Sequence, residues 1–184
     1  MATLSEALSA AFDHHAAGRL REAEILYGRI LAARPNQPDA RHLLALALAQ
    51  GGRAEEGLGH VDAAITANPN AAAYHLSQGK LRDALGRAGA EDSYRAALTR
   101  QPDLPEAADR LGTLLRQRAD RAFDAGRFDQ AEALYRRVLA LVPQDAAAGF
   151  DRAMAIKHCG FPLAAALALG HISPADAHAG ARAS

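Results

Sequence analysis

The chain has 184 residues, of which 49% are hydrophobic but only 5% aromatic, and its 21 basic and 21 acidic side chains cancel. That balance supplies no global field for a polyanion, and the shortage of branched and aromatic residues argues against a β-sandwich core. Forty-seven alanines, with eight prolines and no tryptophan, favour closely packed helices.

The first predicted helix, A1, covers 4–17 and is followed by B1 at 20–33, A2 at 38–51 and B2 at 54–67. A3 is predicted at 71–84 and B3 at 88–100, with one residue lost before A3, which places Tyr74, Leu81 and Ala84 on its packing face. A fourth A helix is predicted over 105–125, with Leu111, Leu115, Ala119 and Ala122 along one stripe; the alternative is a break near Gln117 to Asp120. B4 follows at 128–141, and DAAAGFDRAMAIKHCG then reads as the A helix of an imperfect fifth hairpin, returned by FPLAAALALG. Ser173 and Pro174 mark a further short turn before the tail AHAGARAS. Gly18, Gly52, Gly86 and Gly126 sit where each A helix gives way to its B helix.

The elements repeat. GRLREAEILYGRILAARP returns as GRFDQAEALYRRVLALVP, with weaker copies at GRAEEGLGHVDAAITANP and GRAGAEDSYRAALTRQP. Their closing prolines, Pro35, Pro69, Pro102 and Pro143, are separated by 34, 33 and 41 residues. Ala23, Gly57, Ala90 and Ala131 lie twelve residues before those prolines, and Tyr27, Val61, Tyr94 and Tyr135 lie eight before them. A small residue lets two helices approach, and a larger one a turn later fills the groove between them. The 41-residue interval holds seven extra residues, two helical turns, in the A4 region.

This pattern resembles the tetratricopeptide repeat (TPR) family over about residues 4–158. The resemblance implies an all-α, right-handed α-solenoid of antiparallel helical hairpins. It is read as a single TPR-like domain over 1–184, with four principal repeats over about 4–143 and a degraded fifth repeat with C-terminal cap over 144–184. It also implies a concave surface lined by A helices that receives a protein or extended peptide. The A-helix positions mapped onto that surface are Ser5, Leu8, Phe12 and His15; Asp39, His42 and Leu46; His75, Gly79, Arg82 and Asp83; and Asp109, Thr113, Arg116 and Gln117. Members of the family that hold acidic chain termini use a cluster of Lys, Asn and Arg, whereas Asp39, Asp83 and Asp109 oppose such a clamp here. Arg82 and Arg116 read either as contacts to a peptide carboxylate or as partners of nearby acids.

No residue pattern points to catalysis, a cofactor or a metal. His14 and His15 diverge on a helix, HExxH is absent, and Cys159 is the one cysteine, without an orienting third group beside His158. No phosphate-cradling glycine motif is present. Glu22 and Glu24 read as solvated helix charges. MATLSEALSA lacks a signal-peptide core, and ALALAQ and PLAAALALG are too short to span a bilayer, so the expected location is cytoplasmic without membrane insertion. The expected function is a noncatalytic binding scaffold. The competing readings are an oligomerisation or domain-spacing module, possible as a homo-oligomer through the apolar C-terminal end, and a targeting module of a larger enzyme.

Overall fold

The computed structural model describes residues 3–168 and residue 170, and among them every regular element is an α-helix. The elements are α1 (Leu4–Ala16), α2 (Leu20–Ala33), α3 (Pro38–Gln50), α4 (Ala54–Ala67), α5 (Ala72–Ala84), α6 (Ala90–Arg100), α7 (Pro105–Asp124), α8 (Phe128–Leu141), α9 (Ala146–His158) and α10 (Pro162–Ala168). They form an all-α helical-hairpin solenoid fold, in which odd-numbered helices are the A helices expected from the repeats. The chain divides into two compact units, one reaching Ala107 and the other starting at Ala108. The expected turn at Ser173 and Pro174 and the tail AHAGARAS lie outside the described residues.

Each hairpin turns in the same way. Gly18, Gly52, Gly86, Gly126 and Gly160 have φ of 73°, 80°, 62°, 71° and 89°, the left-handed conformation that terminates a helix without a Cβ penalty. The next residue then donates its N–H back across the last turn, as in Arg19 to the His14 carbonyl at 2.9 Å, Arg53 to Leu48 at 2.8 Å and Arg127 to Ala122 at 2.9 Å. That bond satisfies a carbonyl the helix would leave orphaned and aims the chain into the following helix. At the far ends of α2, α4, α6 and α8 the closing prolines discourage further helix, and the residues before them leave the helical region, with φ between −131° and −141°.

The small and large residues of the repeat meet inside the hairpins. Ala23, Ala131, Tyr27, Val61, Tyr94 and Tyr135 are all at most 2% exposed. A Cβ at Gly57 would lie 2.8 Å from the Ala45 carbonyl oxygen, and one at Gly79 would lie 2.5 Å from the Tyr94 ring. Glycine at these two positions is therefore what lets α4 approach α3 and α6 approach α5. In the first unit Ala11, Ala23, Tyr27, Ile30, Ala40, Leu44, Ala47 and Leu48 form one contiguous core.

The helix spans follow the sequence expectation closely, with one correction. Gly18, Gly52 and Gly86 are spaced by 34 residues, so A3 keeps its register and no residue is lost before it. The missing residue falls between Gly86 and Ala90, where the turn is two residues longer than in the first two hairpins and α6, starting after a second left-handed glycine, Gly89 at φ 88°, has 11 residues against 14 in α2 and α4. The seven extra residues extend α7, which runs unbroken through Gln117 and Asp120. In the second unit Leu111, Leu115, Ala119 and Ala122 form the buried stripe, each at most 4% exposed.

These contacts separate the glycines by substitution. Gly28→Ala and Gly59→Ala place a methyl in open space within a helix and are expected to stabilise by about 0.5–1 kcal/mol. Gly57→Ala and Gly79→Ala are expected to cost about 1–3 kcal/mol through overpacking. Tyr27 is fully buried and its hydroxyl has no hydrogen-bond partner among the described residues, so Tyr27→Phe is expected to stabilise by about 1 kcal/mol. Urea unfolding of the five variants checks all three expectations.

Candidate functional site

On α1, the face mapped from the repeats presents Phe12, which is 51% exposed, while His15 is buried at 7%. The His15 ring sits edge-on to Phe12 and Tyr27, at centroid distances of 6.4 and 6.3 Å. Leu8 is half-buried against the first-unit core. The α1 face is thus an apolar surface with His15 serving its packing.

Between α3 and α5 the structure assembles a polar cluster. The Tyr74 hydroxyl donates to Asp39 Oδ1, the His42 and Tyr74 rings lie 4.7 Å apart, and His42 Nε2 is 2.8 Å from Ser77 Oγ. Burial pushes His42 down to about 4, against the opposing influence of Asp39. His42 is therefore a neutral hydrogen-bonding group near pH 7 and adds no positive charge to this face. Leu46 is half-buried beside it on α3. Lys80 of α5 pairs with Glu106 at 2.7 Å, and both ends are exposed.

Three other positions mapped on α5 face the hairpin interior. His75 is buried and donates from Nε2 to the Pro69 carbonyl at 2.9 Å. Gly79 lies under the Tyr94 ring, and Arg82 donates to Ser93 Oγ at 3.0 Å and lies over Gly89. Asp83 is exposed. The cause is the deletion described above. Counting back from Pro102 carries the missing turn residue into A3 and shifts the mapping by one position, a rotation of about 100° on a helix. Counting from Gly86 instead aligns Leu76, Ser77 and Lys80 with His42, Leu43 and Leu46. Ser77 and Lys80 are the residues that prolines as markers missed.

In the second unit, α7, α8 and the start of α9 enclose an open cavity of about 530 Å³. It is lined by Asp109, Gly112, Thr113, Arg116, Gln117 and Asp120 of α7, by Val138 and Val142, and by Asp145. All four residues mapped on A4 are among these. Arg116 donates from Nη1 to both Asp145 oxygens, at 3.0 and 3.1 Å, and its Nη2 is 3.6 Å from Asp151. Asp145 also caps α9 by accepting the Ala148 N–H at 3.0 Å. Tyr135 donates its hydroxyl to Asp120 Oδ1 at 2.7 Å. Burial pushes the Asp151 carboxyl above its usual range; Arg116 opposes the shift, and Asp120 and Asp145 add to it. Arg82 and Arg116 are both engaged within the chain; Asp120 follows Arg116 by one turn on α7 and was missed, whereas Asp145 and the two valines join the site only through tertiary packing.

Among the described residues no group of three or more His, Cys, Asp and Glu converges to hold a metal ion, and no helix is long and apolar enough to cross a membrane. Cys159 donates its thiol to Asp129 Oδ1 at 3.0 Å, and that bond together with burial pushes the thiol up to about 11. It is protonated near neutral pH and a poor nucleophile.

Models of the tetratricopeptide repeat match residues 14–85 and 116–156. No curated protein matches the sequence. Among solved structures, MamA is 16% identical with a TM-score of 0.62, the alignment covering 91% of this chain and 90% of that one. YrrB, described as a TPR protein with an unusual peptide-binding site, is 16% identical with a TM-score of 0.64, covering 90% and 82%. The first TPR of Spaghetti (RPAP3), bound to the HSP90 peptide SRMEEVD, is 21% identical with a TM-score of 0.56, covering 57% and 84%. At these identities the likeness is one of fold.

The His42 environment has a measurable consequence. Its folded-state value, about 4, lies below the unfolded reference of 6.5, so between the two the unfolded chain binds the additional proton. Stability is therefore expected to fall as pH drops from about 6.5 toward 4, by on the order of 3 kcal/mol. Urea midpoints measured across that range, compared with His42→Gln, isolate the contribution. A residual slope of the same sign belongs to His60, which burial also lowers, and toward pH 4 to Glu56, which its hydrogen bond with Arg53 lowers.

Proposed function

The chain belongs to the tetratricopeptide repeat family, and from that premise we propose that it is a noncatalytic scaffold recognising a protein or extended peptide through its A-helix faces. The observation that carries the reading is the α7 face, where Asp109, Thr113, Arg116 and Gln117 border one open cavity with an apolar wall. Recognition sites combine concavity, apolar surface and a few placed polar groups, and this cavity has all three. Its polar groups are held by Asp145, Tyr135 and the helix itself, so little ordering entropy remains to be lost on binding. The α3–α5 cluster supplies a second polar face, in which neutral His42 and Ser77 offer hydrogen bonds without charge.

A photoreactive benzoylphenylalanine placed at Thr113 or Gln117, both exposed on α7, is expected to crosslink a partner segment that mass spectrometry can map. The same group at Gly59, exposed on α4 with open space around it, is expected to give none. Equal labelling at Gly59 rejects recognition by the A-helix face.

A second reading, self-association, is favoured by Phe150 and Phe161 of the second unit, which are 54% and 62% exposed. Exposed apolar side chains mark a contact surface where they belong to one contiguous patch. If they carry one, Phe150→Ser with Phe161→Ser lowers the particle mass measured by light scattering; an unchanged mass rejects it.

A further inference from the structure

We propose that the groove between α1 and α2 docks the apolar face of an acidic amphipathic helix from a partner protein, its apolar side chains on the groove floor and its carboxylates on Arg29 and Arg34. The groove lies on the flank of α1 that carries Ala7 and Ala10. Ala7 is about 140° round the helix from Phe12, so binding here is independent of recognition by the outward A-helix faces.

The floor is apolar. Leu4 and Ala7 of α1 and Leu26, Ile30 and Ala33 of α2 line an open cavity of about 460 Å³. Leu4, Ala7 and Leu26 rest on the first-unit core and are only half-buried, while Ala10 and Ala33 are exposed. The lining runs from Thr3 to Ala10 and from Leu26 to Arg34, about 10–12 Å of helix axis. That is the length over which apolar residues at i, i+4 and i+7 of a docked helix make contact. The internal repeat shows what such a face receives. Thirty-four residues on, α3 has Arg41 and Leu44 where α1 has Ala7 and Ala10. Leu44 is buried in one core with Tyr27 and Ile30 of α2, so that flank of α3 is covered by a helix. Arg41 reaches across to the end of the same helix, donating from Nε to the Pro35 carbonyl at 3.0 Å. On α1 both counterparts are alanine, and the space that a long side chain and a helix occupy on α3 is left open.

The rim sets the charge of the partner. Arg29 and Arg34 line the groove, both are exposed, and neither has an ion-pair partner among the described residues. The single acid of the lining, Glu6, is turned to its own helix, where its Oε2 accepts the Thr3 N–H at 2.7 Å in the capping box of α1. Arg29 and Arg34, the latter at the C-cap of α2, are about 8 Å apart along the helix axis. Each therefore meets its own carboxylate when the docked helix carries acids one to two turns apart. A helix with lysines beside its apolar stripe would instead meet two unpaired guanidiniums. Exposed pairs add modestly to affinity, so the apolar floor carries the binding and the arginines its selectivity.

The test is a ¹⁵N-resolved NMR titration of the full chain with a hydrocarbon-stapled helical peptide that carries leucine at i, i+4 and i+7 and glutamate on both flanks. Its counterparts replace glutamate by lysine, or leucine by alanine. The glutamate peptide is expected to shift the Ala7, Ala10, Leu26 and Ala33 amides, the lysine peptide to bind about tenfold more weakly, and the alanine peptide to leave those amides in place. Arg29→Gln with Arg34→Gln, at two exposed positions, is expected to weaken the glutamate peptide about fivefold and to remove most of its advantage over the lysine peptide. Ala10→Gln, also exposed, sets a long neutral side chain across the groove and is expected to weaken both peptides about tenfold. Equal affinity for the glutamate and lysine peptides overturns the proposal, as do shifts confined to the Phe12 and Leu46 amides or an affinity unmoved by either variant. Absence of binding by every peptide overturns it as well. So does a dilution-dependent shift of the Ala7 and Ala10 amides in the protein alone, which makes a second copy of this chain the occupant.

Discussion

The α3–α4 and α5–α6 hairpins depend on close approach, in which a glycine on one helix leaves the space that the facing helix occupies. Gly79 under the Tyr94 ring is the extreme case, since the distance a Cβ would have from that ring, 2.5 Å, is shorter than atoms tolerate. Gly57 against the Ala45 carbonyl works in the opposite direction, with the small residue on the B helix. Close packing of this kind makes alanine and glycine structural at these positions and explains why a chain with 5% aromatic residues still has well-filled hairpins. The four tyrosines, Tyr27, Tyr74, Tyr94 and Tyr135, are all spent inside, whereas Phe12, Phe150 and Phe161 lie exposed.

Once the B helices and the inner sides of the A helices are committed to that packing, chemical variety is left to the outer A-helix faces. There the neutral composition resolves into distinct local environments. The α3–α5 cluster has a neutral histidine held by burial, a serine and an aspartate tied to a tyrosine hydroxyl. The α7–α9 cavity carries excess negative charge on an apolar base. A zero net charge thus excludes a generic polyanion binder without describing either surface.

Much of the fold was legible because its signals are local. The GR dipeptides at 18–19, 52–53, 86–87 and 126–127 mark the turns, and the small and large residues before each proline mark the packing of α2, α4, α6 and α8. A helix with a regular apolar stripe also announced that α7 could absorb two extra turns without breaking. The mapped site was less legible. Leu8, Phe12, Asp39 and His42 keep an intact 34-residue register and the four α7 residues keep their offset from the preceding Pro102, whereas His75, Gly79 and Arg82 were mapped across a deletion whose place between Gly86 and Ala90 only the backbone reveals.

The sequence by itself determined that these residues form hairpins of alternating A and B helices, because turn chemistry and the period of apolar positions act within one or two helical turns. The tertiary structure decided which side of each A helix faces outward and which charges are already paired. A one-residue change rotates a helix face by about 100°, and pairs such as Arg116 with Asp145 or His42 with Ser77 join residues 29 and 35 positions apart. Such partners are set by how neighbouring helices stack, a property of the packed chain that no short stretch of sequence contains.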